Sequence, residues 1–281
     1  MKQGGASAFV TRFAPSPSGL LHLGHAYSAL TAFAAAQGAG GRFLLRIEDI
    51  DEARSRPRFE EAIFEDLAWL GLTWEAPVRR QSEHLDDYHA ALERLKAEGL
   101  LYRCIRTRAE TLRGIGSAPH GPAPASLAGP PEPAEEAKAM AEGRPYAWRL
   151  SIERARERLG GFEDLFFVEE DEGRVRAAPE EGGDPILAGK GGGIAYHLAV
   201  VVDDAFQGVS HVIRGEDLKG ARAVQRLLQA LLGLPAPIYR HHRLLCGPDG
   251  QKLSKRDGAE SLAALRAAGV SAAEVRERLG F

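Results

Sequence analysis

The hydrophobic and polar positions of the chain predict a regular succession of strands and helices in its first hundred residues. Short apolar runs indicate strands at 9–13 and 42–47, and apolar residues at helical spacing indicate helices at 26–37, 59–70 and 82–98. A strand, a helix and a second strand in this order predict a parallel strand pair, because the crossover helix returns the chain to the same end of the sheet.

The pattern resumes in the second half of the chain. A strand is indicated at 147–152, and the continuous apolar run at 194–203 is typical of a strand that is buried on both faces. Another strand is expected at 208–214, followed by a helix at 221–232. Parallel strands joined by helices form a doubly wound sheet, so we expect an α/β fold that binds ligands beyond the carboxyl ends of its strands.

Two segments are rich in residues that interrupt regular structure. Segment 114–133 interleaves prolines with alanine and glycine, which predicts a flexible excursion. Segment 189–193 reads Gly-Lys-Gly-Gly-Gly, but its lysine precedes the glycines and no Gly-Lys-Ser or Gly-Lys-Thr follows, so it does not match a phosphate-binding loop. We expect a turn there, before the strand predicted to follow.

The composition narrows the class of protein. The chain has 281 residues, of which 44% are hydrophobic and 27% charged, with a formal net charge of −3. These values predict a cytoplasmic protein with a full core, monomeric by default, and no apolar stretch has the length of a membrane span or a signal peptide. Two cysteines, Cys104 and Cys246, do not indicate a disulfide framework. Four arginines in one segment predict either a local basic surface or an ordinary solvated face, with equal weight: Arg103, Arg106, Arg108 and Arg113.

Two short motifs far apart in the chain carry the most chemistry. The first is His22-Leu23-Gly24-His25, whose imidazoles should lie at a helix N-terminus, where free N–H groups and the helix dipole favour phosphate. The second, at 252–256, places Lys252 and Lys255 in a loop rich in Gly, Pro and Asp. A triphosphate can be attacked at its α-phosphorus only if the charge developing on pyrophosphate is neutralised, so the two motifs together predict activation of a carboxylate by ATP.

These motifs carry a resemblance to a known family. Segments 22–25 and 252–256 resemble the HIGH and KMSKS signatures of class I aminoacyl-tRNA synthetases. Segments 12–19 (Arg-Phe-Ala-Pro-Ser-Pro-Ser-Gly), 46–51 (Arg-Ile-Glu-Asp-Ile-Asp) and 212–217 (Val-Ile-Arg-Gly-Glu-Asp) resemble glutamyl-tRNA synthetase catalytic domains in particular. The likeness extends over most of the chain, with a gap in the middle.

The resemblance implies a Rossmann-type class I catalytic domain that is divided by an insertion. We expect its first half at 8–103, an inserted acceptor-contact subdomain at 104–147, its second half at 148–240, and the loop of the second motif with C-terminal helices at 241–281. Only 25 residues follow Arg256 in this sequence, so we expect no anticodon-binding domain. In this respect the chain resembles the glutamyl-Q tRNA(Asp) synthetases, which activate glutamate without tRNA and transfer it to the queuosine base at the wobble position of tRNA(Asp).

A glutamate pocket must pair one ammonium and two carboxylates. Arg12 and Arg214 are the candidate carboxylate partners, since a guanidinium binds a carboxylate in a bidentate way and rejects an amide, and Glu48 can hold the ammonium. The resemblance adds Tyr196 at the pocket wall, for which a core aromatic is the alternative. The full predicted glutamate site is Arg12, Phe13, Ala14, Pro15, Ser16, Glu48, Tyr196 and Arg214, and the predicted ATP site is His22, Gly24, His25 and Lys255.

Metal ions enter the predictions in two places. Asp49 and Asp51 could form a magnesium pair, but we favour structural roles at the strand end and expect Mg²⁺ to arrive with ATP. Relatives often carry a zinc site in the insertion, built from a Cys-x-Cys pair with a further Tyr and Cys. Here Cys104 keeps only the first ligand and His120 is a lone candidate, so no zinc is expected.

The predicted reaction has two steps. The glutamate α-carboxylate attacks the α-phosphate of ATP, with His22 and His25 on the phosphates, Lys255 on the leaving pyrophosphate and Lys252 assisting. A hydroxyl of queuosine-containing tRNA(Asp) then attacks the mixed anhydride and releases AMP. Two alternatives remain open: a truncated glutamyl-tRNA synthetase that charges a 3′ end, and a non-catalytic sensor of glutamate or ATP.

Overall fold

The computed structural model describes residues 9–106, 129–245 and 260–281. Its strands are β1 (Val10–Phe13), β2 (Arg42–Ile47), β3 (Arg79–Arg80), β4 (Leu101–Cys104), β5 (Ala147–Leu150), β6 (Phe166–Glu169), β7 (Gly173–Arg176), β8 (Ile186–Ala188), β9 (His211–Gly215) and β10 (Ile238–His242). Its helices are α1 (Leu23–Gly38), α2 (Pro57–Trp69), α3 (Leu85–Ala97), α4 (Pro133–Ala141), α5 (Ile152–Leu159), α6 (Tyr196–Phe206), α7 (Arg222–Leu232), α8 (Leu262–Ala267) and α9 (Ala272–Leu279).

The chain divides into two compact units. The described residues of Met1–Glu83, Gly208–Asp217 and Pro237–Phe281 form the first, and those of His84–Gln207 and Leu218–Ala236 form the second. Within the described ranges, no helix is both long enough and apolar enough to cross a membrane.

The strands of the first unit pair in parallel, in two separate groups. β1 and β2 pair in parallel with Val10 opposite Arg42, β3 extends the pairing beyond β2, and β9 pairs in parallel with β10. β9 lies beside β1, where the Ser210 N–H donates to the Val10 carbonyl at 2.9 Å. The strand, helix and strand order predicted for the first fifty residues is confirmed, and so is the α/β class.

The core of the first unit lies between α1 and these strands. α1 contributes small residues to it, with Ala26, Ala29 and Ala32 fully buried, so the helix backbone can approach the sheet closely. Leu30 and Ile47 are buried in the same cluster. Burial of each large apolar side chain in this cluster stabilises the fold by about 1.5–3 kcal/mol relative to its exposure.

The second unit is built differently, from antiparallel strands and helices. β5 pairs antiparallel with both β4 and β8, and β6 and β7 form an antiparallel hairpin. α3 packs against α6 and α7. The Tyr88 hydroxyl of α3 donates to Asp203 of α6 at 2.8 Å, which gives this buried carboxylate a partner. The strand predicted at 147–152 therefore belongs to an antiparallel sheet, not to the parallel one.

The strand predicted at 194–203 is wrong, because this segment belongs to α6. Its apolar run is buried on several sides, including Leu198, Ala199, Val200 and Val201. A helix that is covered all round shows the same unbroken hydrophobic run as a strand buried on both faces, so periodicity cannot separate them. The turn predicted at 189–193 is confirmed by a hydrogen bond from the Gly189 N–H to the Gly193 carbonyl at 2.8 Å, but a helix follows it.

Candidate active site

The two histidines of the first motif cap the same helix end. His22 is the N-cap of α1, and its Nδ1 accepts from the Gly24 N–H at 3.1 Å. The His22 N–H donates to Nδ1 of His25 at 3.2 Å, and the two ring centroids are 3.8 Å apart. A ring nitrogen that accepts a hydrogen bond carries no proton, so in both imidazoles the proton lies on Nε2. Each histidine is thereby oriented to donate through Nε2–H.

This end of α1 is suited to bind phosphate. The N-terminus carries the positive end of the helix dipole, and the first turn contains no acidic residue to oppose an anion. Gly24 suits the arrangement, because a Cβ at this position would lie 3.0 Å from Cε1 of His22 and the ring would have to shift by a few tenths of an ångström. The predicted placement of the imidazoles at a helix N-terminus is confirmed.

The residues that follow the second motif in the chain form backbone hydrogen bonds with the start of the first motif. Ser261 forms an antiparallel backbone bridge with His22, and the Leu262 N–H donates to the Leu21 carbonyl at 2.8 Å. Ser261 also caps α8. Lys252 and Lys255 lie outside the described residues, which resume at 260.

The predicted glutamate-site segment at 12–16 begins inside β1 and leaves it at the carboxyl end. Arg12 and Phe13 are buried residues of the strand. Ala14, Pro15 and Ser16 follow it, and the Pro15 carbonyl accepts from the Glu48 N–H at 3.0 Å. This hydrogen bond joins the two segments that leave the carboxyl ends of β1 and β2.

Glu48 lies next to a buried cation. It is the first residue after β2, and its side chain accepts a hydrogen bond from Nη2 of Arg46 at 3.3 Å. Arg46 is fully buried, and the Glu48 side chain is 11% exposed. The contact orients the Glu48 carboxylate in the loop that follows the strand.

The acids that follow Glu48 make structural contacts. Asp49 accepts from both the N–H and the hydroxyl of Ser82, at 2.8 and 2.5 Å. Asp51 accepts from Nε of Arg54 at 2.6 Å, and this hydrogen bond lowers the pKa of the Asp51 carboxyl. These contacts support the structural interpretation of the pair over a magnesium site. In the part of the chain that the structure describes, no group of three or more His, Cys, Asp or Glu is arranged to hold a metal.

Arg214 lies within β9, near the carboxyl end of the strand. It is the fourth of five strand residues and is 5% exposed. Its Nε donates to Nε2 of His241 at 3.1 Å, and its guanidinium carbon lies 5.4 Å from the ring centroid of Tyr239. The sequence did not single out His241, because the contact depends on which residues of β9 and β10 pair.

The remaining predicted residues lie either in the second unit or outside the described residues. Tyr196 is partly buried and begins α6. Cys104 is buried at the end of β4, whereas His120, Cys246, Arg108 and Arg113 fall outside the described residues. Arg103 of the basic group pairs with Glu136 at 2.8 Å, and its guanidinium lies over Trp148. Arg103 therefore makes its contacts within the second unit.

Comparisons with known proteins agree with this geometry. The family model for the catalytic domain of class I tRNA synthetases (E and Q) matches residues 8–277. The chain is 45% identical to glutamyl-Q tRNA(Asp) synthetase of Rhodobacter capsulatus over 97% of this chain and 100% of that protein. It is also 45% identical to glutamyl-Q tRNA(Asp) synthetase of Symbiobacterium thermophilum, over 96% of this chain and 85% of that protein.

A solved structure shows the same likeness. The glutamate-tRNA synthetase of Elizabethkingia anophelis matches with a TM-score of 0.71 and 31% identity, over 89% of this chain and 53% of that chain. The family model extends over both motifs and over segments 12–19, 46–51 and 212–217. The chain therefore belongs to the class I tRNA synthetases of the E and Q type, in their catalytic-domain family.

Proposed function

We propose that this chain activates L-glutamate with ATP, without tRNA, and transfers the glutamyl group to the queuosine base at the wobble position of tRNA(Asp). The single observation that carries the proposal is the 45% identity to a glutamyl-Q tRNA(Asp) synthetase along that protein's entire length. ATP is the activating substrate throughout this synthetase family.

The histidine pair supports a phosphate-binding role in activation. Both imidazoles have Nδ1 engaged at the start of α1, so His22 and His25 donate through Nε2–H to the phosphates. The glutamate α-carboxylate attacks the α-phosphorus in line, and the bond from this phosphorus to the pyrophosphate oxygen breaks with its electron pair on pyrophosphate. Lys255 neutralises that leaving group, with Lys252 assisting, and Mg²⁺ enters with the nucleotide.

Three charged residues of the first unit support the choice of glutamate. Arg12 and Arg214 are both buried, where a guanidinium pairs strongly with a carboxylate ligand and discriminates against an amide. Glu48 supplies the negative charge for the substrate ammonium. We assign Phe13, Ala14, Pro15 and Ser16 to the pocket wall, and Gly24 to close approach of the nucleotide.

In the second step a hydroxyl of the queuosine base attacks the carbonyl carbon of glutamyl-adenylate. An ester forms as the hydroxyl gives up its proton to solvent, the bond from that carbon to the phosphate oxygen breaks, and AMP leaves with the electron pair. We further propose that the chain works as a monomer in the cytoplasm. The division into halves at 8–103 and 148–240, an insertion at 104–147 and a C-terminal part at 241–281 remains part of this proposal.

A second candidate acceptor is the 3′ end of a tRNA. The structural match to a glutamate-tRNA synthetase is the observation that suggests this acceptor, and both activities share the first step. Full-length coverage of the glutamyl-Q relative favours the queuosine acceptor over this one.

One experiment decides between the acceptors. The purified chain is incubated with ATP, radiolabelled glutamate and bulk tRNA, either from cells that make queuosine or from cells that cannot. We expect label on tRNA(Asp) from the first pool alone. Equal labelling of both pools on tRNA(Glu) would establish 3′-end charging instead, and no labelling of either pool would contradict both activities.

A further inference from the structure

The clearest contact that the proposed reaction does not yet use is the hydrogen bond between Arg214 and His241. The two residues occupy directly paired positions of the parallel strands β9 and β10. Nε of Arg214 donates to Nε2 of His241 at 3.1 Å. The acceptor nitrogen carries no proton, so this bond requires a neutral imidazole.

A second contact on β10 fixes the same arginine. The guanidinium carbon of Arg214 lies 5.4 Å from the ring centroid of Tyr239, and the ring of Tyr239 is fully buried. Tyr239 and His241 are two residues apart, so they project from the same face of the strand, and their rings are nearly parallel at 11°. Tyr239 therefore contacts the guanidinium of Arg214 through its ring, and His241 holds the Nε edge of the same group by a hydrogen bond.

The chemistry of the acceptor matters as much as its position. Arginine has five N–H donors in a planar fork, and with Nε directed at His241 a carboxylate ligand would be bound through the two Nη nitrogens. A carboxylate in place of the imidazole would orient Arg214 equally well, but it would neutralise the charge that a substrate carboxylate needs. A neutral histidine orients the guanidinium and adds no negative charge of its own beside it.

We propose that His241 is a positioning residue that sets Arg214 to bind a carboxylate of glutamate through its Nη edge. This inference rests on the proposed function, since it assigns the orientation of a residue in the proposed glutamate site. His241 acts through Arg214, and its replacement should change recognition of the amino acid and not of the nucleotide.

Three substitutions separate position from charge. His241→Gln supplies a neutral amide oxygen near the position of Nε2, His241→Glu supplies an acceptor of almost the same shape with a negative charge, and His241→Leu supplies no acceptor. We expect His241→Gln to keep the KM for glutamate within about threefold of wild type, since the neutral bond is retained. His241→Leu should raise it by about tenfold or more, since a hydrogen bond to a charged group carries that much. His241→Glu should raise it by a similar factor, since its carboxylate competes with the substrate carboxylate for the guanidinium of Arg214.

The measurement is glutamate-dependent exchange of pyrophosphate into ATP without tRNA. The KM for ATP should stay within about twofold of wild type in all three variants, which a general loss of structure would not allow. A glutamate KM for His241→Glu that matches the value for His241→Gln would overturn the proposal. This comparison holds even if His241→Leu fails to fold, because the Gln and Glu side chains have the same shape. Absence of exchange in the wild type would instead refute glutamate activation itself.

Discussion

His22 and His25 hold each other's orientation through the first turn of α1. Each contributes Nδ1 as an acceptor for a backbone N–H of that turn, and the rings lie 3.8 Å apart. The same two hydrogen bonds therefore cap the helix and orient the two Nε2–H donors. The two contributions can be separated by substitutions that keep one and remove the other.

The first prediction concerns His25. Asparagine can place its Oδ1 near the position of Nδ1, so His25→Asn should keep the cap while it removes the Nε2–H donor. We expect the free energy of unfolding to change by less than about 0.5 kcal/mol, whereas the pyrophosphate exchange rate should fall by about 10²-fold. His25→Ala is the control, and it should additionally lose about 1 kcal/mol of stability with the cap. Exchange at the wild-type rate in His25→Asn would show that Nε2 does not contact the phosphates.

The second prediction concerns Gly24. An added Cβ would lie 3.0 Å from the His22 ring and should displace it, although alanine itself favours the helix by about 1 kcal/mol. Gly24→Ala should therefore lower the exchange rate by about tenfold or more without lowering the melting temperature. The matched control is Gly38→Ala at the other end of α1, where no atom lies within 4 Å of the added Cβ. Similar exchange rates in the two variants would contradict the steric argument.

The third prediction is a dependence of stability on pH that arises from Asp66. Burial raises the pKa of Asp66 to about 6, and its Oδ1 lies 3.7 Å from Nη2 of Arg266. A carboxyl whose pKa is higher in the folded than in the unfolded state binds more protons when folded. Its stabilising contribution is therefore present at low pH and is lost as the pH rises through about 6.

Asp66→Asn removes this titration. The free energy of unfolding of the variant should exceed that of the wild type by about 1–3 kcal/mol at pH 8, and the difference should shrink as the pH falls below the raised pKa. Glu65→Gln is the control, because Glu65 is exposed and pairs with the same arginine at 2.8 Å. Urea unfolding at several pH values measures the difference, and a gap that is independent of pH would refute the assignment to Asp66.

The fourth prediction tests the ammonium site. Glu48→Gln keeps the shape of the side chain next to Arg46 but removes the negative charge proposed to hold the substrate ammonium. The KM for glutamate should rise by about tenfold or more, with the KM for ATP within about twofold of wild type. Glu52→Gln, a change to an exposed acid in the same loop, should leave both constants unchanged. An equal rise of both constants in Glu48→Gln would point to a collapsed loop and not to a lost charge partner.

Local pattern was sufficient for the part of the molecule that positions the histidines. The spacing of apolar residues predicted β1, α1 and β2 to within a few residues. Each of these elements packs apolar side chains against the same core, and this packing produces a regular spacing in the sequence. The motif of His22 and His25 could be assigned to a helix N-terminus for the same reason. The strand predicted at 42–47 also places Glu48 directly after a strand, where the structure has it.

The sequence by itself determined the parallel α/β class, the family resemblance and the identity of the candidate residues, since all of these are expressed in local order and residue type. Tertiary structure alone decided three further points: that 194–203 is helical, that His22 pairs with Ser261, and that His241 faces Arg214. An apolar run buried on all sides has no period to distinguish strand from helix. Pairings between residues far apart in the chain depend on register, which packing of the whole sheet sets and no local pattern contains.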